Sequence, residues 1–219
     1  MAISSYSELK TGIENYAANT ENTSRLDEFI ALCENRMWYG HGDKGDPFYS
    51  APLRITGMES TGDLTISAQT AAQPTGFLYA RRLYLDISPK QDVDYLAPDR
   101  FWQSTEAQLS TTATPKIFTI ESTNFTFAPS PDDTYTGKLL YYAKLTGLSS
   151  SNTTNWIITN APQLYLYGCL LEFYIYTRND AEIQKYAQLF SGAINSMNNQ
   201  DRAMKHSGSD ISAHPDNTP

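Results

Sequence analysis

The spacing of apolar residues changes twice along this sequence, and this change constrains the fold more than any other feature. Near the N-terminus, one apolar stripe has the spacing of a single helix face: Leu26, Phe29, Ile30, Cys33 and Met37. In the middle, runs such as 116–121 and 124–128 alternate apolar and polar residues with the period of a strand. Helical spacing then returns. The sequence therefore predicts an α+β protein with helices at both ends and strands between them.

The helical ends carry start, stop and packing signals. Ser5-Tyr6-Ser7-Glu8 fits a capping box before the first helix, and Gly40 and Gly42 end the second. Thr159 or Asn160 is the expected cap before Pro162. Residues 164–177 are apolar nearly all round, which predicts a helix buried on most sides.

A tight turn at 178–180 connects this helix to a last helix, so the two must pack antiparallel. One face of the last helix is apolar: Ile183, Tyr186, Ala187, Phe190, Ile194 and Met197. Gly168 and Gly192 both cost helix propensity, so we expect each to mark a close approach between helices.

The central region is predicted to form a small antiparallel sheet or sandwich. Its predicted strands are 53–56, 63–67, 76–86, 116–121, 124–128 and 137–145. Residues 122–124 suggest a hairpin turn between two of them. A short helix is expected at 98–106, with Phe101 and Trp102 facing inward.

These elements predict four segments in the chain. Residues 1–40 and 159–205 form an antiparallel helical bundle that serves as a platform, and residues 41–158 form an inserted β region. Residues 206–219 form an extended C-terminal tail, in which Ile211 is the single large apolar residue.

Composition excludes several classes of function. The formal net charge is −8 and only 18% of residues are charged, so no basic patch exists to grip nucleic acid tightly. An acidic surface instead repels DNA that passes it. No apolar run approaches the roughly 18 residues of a membrane span. Two cysteines make neither a disulfide framework nor a metal site.

No catalytic, cofactor-binding or metal-binding motif stands out, and we expect no enzymatic activity. His41, Asp43 and Asp46 lie in a Gly-rich segment that is typical of a polar turn rather than a metal site. Cys33 and Cys169 lie on apolar helical positions, which predicts buried, inert thiols.

Aromatic side chains with polar tips are the most distinctive candidates for contact with other proteins. Tyr79, Tyr84 and Trp102 are predicted to contact the tail side of an assembly or a neighbouring subunit. The tyrosines of the penultimate helix belong to the same class: Tyr165, Tyr167, Tyr174 and Tyr176. About half of these side chains are equally well explained as part of the core. Arg81-Arg82 is interpreted as a site of local ion pairs.

An ordered set of segments resembles the head–tail adaptor, or connector, proteins of tailed bacteriophages. The segments are YSELK at 6–10, RLDEFIALCENR at 25–36, RLYLD at 82–86, DYLAPDRF at 94–101, YTGKLLYYAKL at 135–145, TNWII at 154–158 and APQLYLYGCLLE at 161–172. The resemblance extends from residue 5 to about residue 200, and it lies in the order of the set rather than in any single segment.

The resemblance implies a virion structural protein, made in the host bacterial cytoplasm and located in the virion neck. Such adaptors form a ring, typically dodecameric, beneath the portal. They extend the DNA channel and offer a docking platform to tail or nozzle proteins. The implied partners are the chain itself, the portal protein, a tail or nozzle protein and DNA in transient, non-specific passage, with no membrane. C-terminal extensions in the family reach the portal or a neighbour, which implies contacts by Ile211, His214, Pro215 and Pro219.

Two other functions stay open at this point. The first is a tail or baseplate module that binds host carbohydrate through Trp102, Trp156 and exposed tyrosines of the β region. The second is an enzyme acting on cell-wall polymers, for which no carboxylate pair is singled out by the sequence.

Overall fold

The computed structural model describes residues 3–108 and 111–206. They divide into two compact units, one comprising residues up to Gly57 and from Thr146 onward, the other Met58–Leu145. The helices of the described residues are α1 (Tyr6–Ala17), α2 (Leu26–Tyr39), α3 (Pro98–Phe101), α4 (Thr105–Gln108), α5 (Trp156–Asn160), α6 (Pro162–Thr177) and α7 (Asp180–His206). The strands are β1 (Glu59–Ile66), β2 (Thr70–Ala72), β3 (Phe77–Leu85), β4 (Gln91–Asp92), β5 (Asp94–Tyr95), β6 (Ile117–Glu121), β7 (Asn124–Ala128) and β8 (Tyr135–Ala143). The α+β prediction is confirmed.

The first unit is built around α6, which packs against α1, α2 and α7. The predicted stripe of α2 is buried along its whole length. α6 is buried on most sides, as its all-round apolar sequence predicts. Arg178 adopts a left-handed conformation (φ 59°) that ends α6, so α7 begins two residues later. These helices form the predicted antiparallel bundle.

The two helical glycines predicted to mark close approaches behave differently. At Gly168 of α6, an added Cβ would lie 2.8 Å from a ring carbon of Phe190 and closer still to the sulfur of Cys33. Helices α2, α6 and α7 therefore meet at this glycine, as predicted. At Gly192 of α7, no atom of another described element lies within 4 Å of the same position, so that prediction is wrong.

The segment 53–56 is not a strand, although its sequence alternates like one. Leu53 and Ile55 are buried in the helical unit, but the backbone bonds to helices instead of to a sheet. The Leu53 amide donates to a carbonyl of α2, and the Arg54 amide donates to the side-chain oxygen of Asn198 at 2.8 Å. Side chains of α7 thus supply the hydrogen bonds that a neighbouring strand would have supplied.

The first helix has the predicted kind of N-terminal cap, whereas the cap predicted before Pro162 lies elsewhere. The Ser5 hydroxyl accepts from the Glu8 amide, as in a capping box, and the Glu8 carboxylate reaches back to accept mainly from the backbone and hydroxyl of Ser4. The cap predicted at 159–160 is wrong because those residues belong to α5. Asn155 caps α5 by accepting from the Ile158 amide at 3.1 Å.

The second unit is a β-sandwich of two four-stranded sheets, with strand orders β1-β8-β3-β4 and β2-β7-β6-β5. Both sheets contribute buried side chains to one shared apolar cluster: Leu64, Ile66, Leu83, Leu85, Val93, Phe118, Phe125, Phe127, Leu139 and Tyr141. Burying these faces against each other is the main driving force for this unit.

Two details of the sandwich follow from its connections. Strands β6 and β7 form the predicted hairpin, in which Glu121 pairs with Asn124 and Ser122 has a φ of 56°. The short pair β5–β6 is parallel rather than antiparallel. The chain between them contains α3 and α4, and such a crossover is what a parallel pair requires.

Candidate interaction surfaces

The predicted contact residues of the β-sandwich are all on or near its surface. Tyr79 on β3 is 58% exposed and Trp102, just after α3, is 48% exposed. Tyr84 on β3 is half-buried. Ile211, His214, Pro215 and Pro219 lie outside the described residues.

The prediction that both Phe101 and Trp102 face inward is right for Phe101 and wrong for Trp102. Phe101 is fully buried, and consecutive helical residues point about 100° apart, so Trp102 is directed outward. Its indole N–H donates to the Glu121 carboxylate at 2.8 Å, and its ring meets Phe101 edge to face. The partly exposed ring is therefore held in a fixed orientation.

Tyr84 lies beside a shallow groove of about 340 Å³ on the outer face of the first sheet. The Arg82 guanidinium and the Lys90 ammonium group lie 5.5 and 5.1 Å from the centre of its ring. Across the groove, Lys138 pairs with Asp63 at 2.7 Å, and this hydrogen bond raises the pKa of Lys138. The surface is thus polar and close to charge-balanced.

The basic pair on β3 is fully engaged in ion pairs, as predicted. Arg81 pairs with Glu59 at 2.5 Å, and Arg82 makes two hydrogen bonds to Asp92, at 2.9 and 3.1 Å. The hydrogen bond from Arg82 lowers the pKa of Asp92. These cations are held by carboxylates of the same unit, which leaves little positive potential for phosphate groups.

The helical unit carries a cluster of tyrosines between α6 and α7. The rings of Tyr174 and Tyr186 stack at 5.3 Å with an interplanar angle of 16°, and Tyr167 lies 6.4 Å from Tyr186. Burial raises the pKa of Tyr174 and of Tyr186. The sequence prediction that Tyr186 lies on the core face of α7 is right, because its side chain is buried. Its stacking on Tyr174 was not predicted, because ring stacking between helices leaves no local signal.

Tyr165 belongs to the core instead. Its hydroxyl donates to the Glu34 carboxylate at 2.8 Å and accepts from the Asn155 side chain at 2.7 Å. The same carboxylate oxygen of Glu34 accepts from the Leu148 amide, so this network fastens the chain at 146–155 to α2. Burial raises the pKa of Glu34 and of Tyr165.

An apolar groove of about 280 Å³ lies along the last turns of α7, and we call it the α7 groove. Its lining residues are Ile55, Thr56, Gly57, Trp156, Met197, Gln200, Asp201 and Met204. The Trp156 ring packs directly on Gly57, where a Cβ would come within 2.7 Å of the indole. Because 53–56 was predicted to be a strand, sequence reasoning did not find this groove.

Asp201 fixes one wall of the α7 groove. Its carboxylate is 4% exposed and accepts from the amide and the hydroxyl of Thr56, both at 2.6 Å. Lys205 pairs with the other carboxylate oxygen at 2.5 Å. Burial opposes ionisation, but these contacts outweigh it and lower the pKa of Asp201. The groove therefore presents an apolar floor beside a wall in which the Asp201 carboxylate and the Thr56 amide and hydroxyl are already paired.

The remaining chemical candidates are structural in the part of the chain that is described. Cys33 and Cys169 are buried free thiols, and burial raises the pKa of Cys33. The Asp46 side chain accepts from the Phe48 amide at 2.8 Å, as expected for a polar turn. Within residues 3–108 and 111–206, no group of three or more His, Cys, Asp or Glu is arranged to hold a metal ion. No helix in those ranges has the length and apolar character to cross a membrane.

Comparison with known proteins identifies the family. A sequence model of the family described as SU10 adaptor protein matches residues 4–212. No curated protein matches the chain. The match spans nearly the whole sequence and confirms the resemblance to phage adaptors, a family that indicates a structural rather than a catalytic role. The chain therefore belongs to the SU10 adaptor protein family.

Proposed function

We propose that this chain forms a homo-oligomeric ring, dodecameric as the resemblance implies, between the portal and the tail of a phage virion. The ring extends the DNA channel and gives tail or nozzle proteins a platform to dock on. Family membership across residues 4–212 carries this proposal. The chain is made in the host bacterial cytoplasm and is then built into the virion neck.

The helical unit supplies the lateral contacts of the proposed ring. A ring needs two different surfaces that meet head to tail, because each subunit contacts its neighbours through opposite faces. Ile175 and Tyr176 near the end of α6 are 40% and 46% exposed and offer one surface that combines apolar area with a polar tip, which is typical of subunit interfaces. The α7 groove offers a second surface of different chemistry.

The charge distribution supports passage of DNA without tight binding. The chain carries a formal charge of −8, and Arg81, Arg82 and Lys138 are paired with carboxylates on the β-sandwich. Phosphates release counterions and bind tightly only where cations are available to replace those counterions. We place part of the acidic excess on the channel lining, where it repels the DNA backbone.

The central test is assembly with the portal protein. Native mass spectrometry of the purified chain, alone and with its portal, is expected to show a ring that forms on the portal. Deleting residues 207–219 is expected to leave the far-UV circular dichroism of the subunit unchanged and to impair joining to the portal. A chain that joins no portal ring, or truncated chains incorporated into virions as well as intact ones, would contradict the proposal.

One observation favours the carbohydrate-binding alternative: Trp102 and Trp156 are both more than a third exposed. Exposed indole rings are suitable platforms for sugar rings. Trp102 belongs to the β-sandwich unit and Trp156 to the helical unit, so each would act in a separate site. A glycan array with the purified protein separates the two functions, because the adaptor is expected to bind no glycan.

A further inference from the structure

The α7 groove exposes apolar side chains close to the point where the described chain ends. Met204 is 67% exposed and Trp156 is 38% exposed, although both line the groove. Met204 precedes the last described residue, His206, by only two positions. Whatever follows α7 therefore leaves the helix directly beside this groove.

The sequence that follows has one suitable occupant. At least thirteen residues follow His206, and Ile211 is the single large apolar side chain among them. Gly208 comes two positions after the helix end, where glycine commonly allows the chain to reverse direction. Asp210 and Asp216 are the charged residues of this segment. The last turns of α7 carry Asp201, Arg202 and Lys205, with Lys205 paired to Asp201, and keep a net charge of +1. The negative charges of the segment are therefore complementary to the net charge of the helix end.

The geometry of the chain allows Ile211 to reach the groove of its own subunit. Ile211 follows His206 by five positions, and an extended chain of that length spans up to about 17 Å. At about 1.5 Å per helical residue, Met197, the groove residue of α7 farthest from His206, is about 14 Å away along the axis. When the chain reverses at Gly208, three residues, or about 10 Å of extended chain, lead back to Ile211, which brings its side chain to the Met204 end of the groove, and the residues up to Pro215 continue along it.

We propose that, before assembly, residues 208–215 fold back and place the Ile211 side chain in the α7 groove of the same subunit. A tethered segment beside its site has an effective concentration in the millimolar range, well above that of free subunits in dilute solution. The own-subunit contact therefore prevails until a ring or a portal supplies a competing surface. A single apolar anchor makes a weak contact, and a weak contact is readily exchanged.

The fold-back contact itself does not depend on the proposed ring, but its exchange for a portal or neighbour contact rests on the proposed function. In this scheme Ile211 shields Trp156 and Met204 from water in the free subunit. The segment leaves the groove only when a partner is present to cover it. Subunits therefore do not associate through this groove before they meet the portal or the ring.

The test observes Trp156 directly in the full chain. Biosynthetic 5-fluorotryptophan labels Trp38, Trp102 and Trp156, and Trp156→Phe identifies the third resonance in ¹⁹F NMR. Ile211→Asp is expected to shift the Trp156 resonance to the position that it has in a chain ending at His206. Ser212→Asp, which adds the same charge one residue later, is expected to leave the resonance in place.

Two outcomes would overturn the inference. The first is a Trp156 resonance that is identical in the full chain, in Ile211→Asp and in the truncated chain, which means that the tail does not occupy the groove. The second is a difference that disappears on dilution, which assigns the groove to the tail of another subunit. Neither outcome involves the portal, so the proposed ring function is tested separately by the assembly experiment.

Discussion

The close approach of three helices at Gly168 predicts that replacing this glycine by alanine does not stabilise the protein, although helix propensity alone predicts that it would. An alanine at this position would place its Cβ 2.8 Å from the Phe190 ring and nearer still to the sulfur of Cys33. Both neighbours are themselves buried, so neither side chain can move aside into solvent. Gly192 lies in α7 with no atom of another described element within 4 Å of its Cβ position and serves as the matched control.

The expected magnitudes follow from two opposing terms. Replacing glycine by alanine inside a helix stabilises by about 1 kcal/mol, whereas overpacking a core destabilises by about 1–3 kcal/mol. Gly168→Ala is therefore expected to be neutral to about 2 kcal/mol destabilising. Gly192→Ala is expected to stabilise by about 0.5–1 kcal/mol. The two variants should differ in Tm by about 1–12 °C, at roughly 2–4 °C per kcal/mol for a chain of this size.

Thermal and urea unfolding, followed by far-UV circular dichroism, measure this difference in the free energy of unfolding. Gly168→Leu adds three further carbons at the same place and is expected to cost more than Gly168→Ala. In a Cys33→Ala background the nearest atom is gone, so Gly168→Ala is expected to cost less, and a double-mutant cycle measures that coupling. If Gly168→Ala stabilises the chain as much as Gly192→Ala does, the three helices do not meet as described.

Three further predictions concern buried polar groups. Glu34→Gln keeps an oxygen that can accept both hydrogen bonds but removes the ionisable carboxyl. Because burial raises the pKa of Glu34 in the folded chain, the natural protein should lose stability as the pH rises above the ordinary glutamate range. The variant should not show this loss. Urea unfolding across that range measures this, and parallel pH profiles would contradict it. Asp201→Ala leaves the amide and hydroxyl of Thr56 without their acceptor and is expected to lower the free energy of unfolding by about 1–3 kcal/mol at neutral pH. An unchanged urea midpoint would show that the hydrogen bonds between Asp201 and Thr56 do not stabilise the fold. Arg36→Ala removes the partner of the buried Glu172 carboxylate and is expected to cost about 3–5 kcal/mol. Replacing both members by apolar residues should recover most of that loss, and a double variant as unstable as Arg36→Ala would argue against an unpaired buried charge as the cause.

The elements that the sequence predicts well are those whose signal lies within a few residues. The stripe of α2 and the all-round apolar α6 each follow from helical spacing, because a helix buries residues according to its own period. The β6–β7 hairpin follows from alternation on either side of a short polar turn. In each case the local pattern and the tertiary environment require the same structure.

The misses arise where distant residues decide the structure. Segment 53–56 alternates like a strand, but Asn198 and Asp201 from the far end of the chain satisfy its backbone. Gly168 and Gly192 have the same propensity and differ only in which side chains happen to lie opposite them. The α7 groove combines Ile55 to Gly57, Trp156 and α7, so no single segment of sequence carries its signature.

The way the helical unit holds the chain on either side of the insertion has a consequence for how such proteins diversify. Just before residue 58, Asp201 binds the amide of Thr56, and just after residue 145 the side chains of Asn152 and Asn155 donate to the carbonyl of Thr146. At both ends of the insertion, the chain is thus held by hydrogen bonds from residues of the helical unit and not of the β-sandwich. A graft at these positions would exchange one β module for another without disturbing the hydrogen bonds of the bundle, so the β-sandwich can diverge while the helical unit is kept.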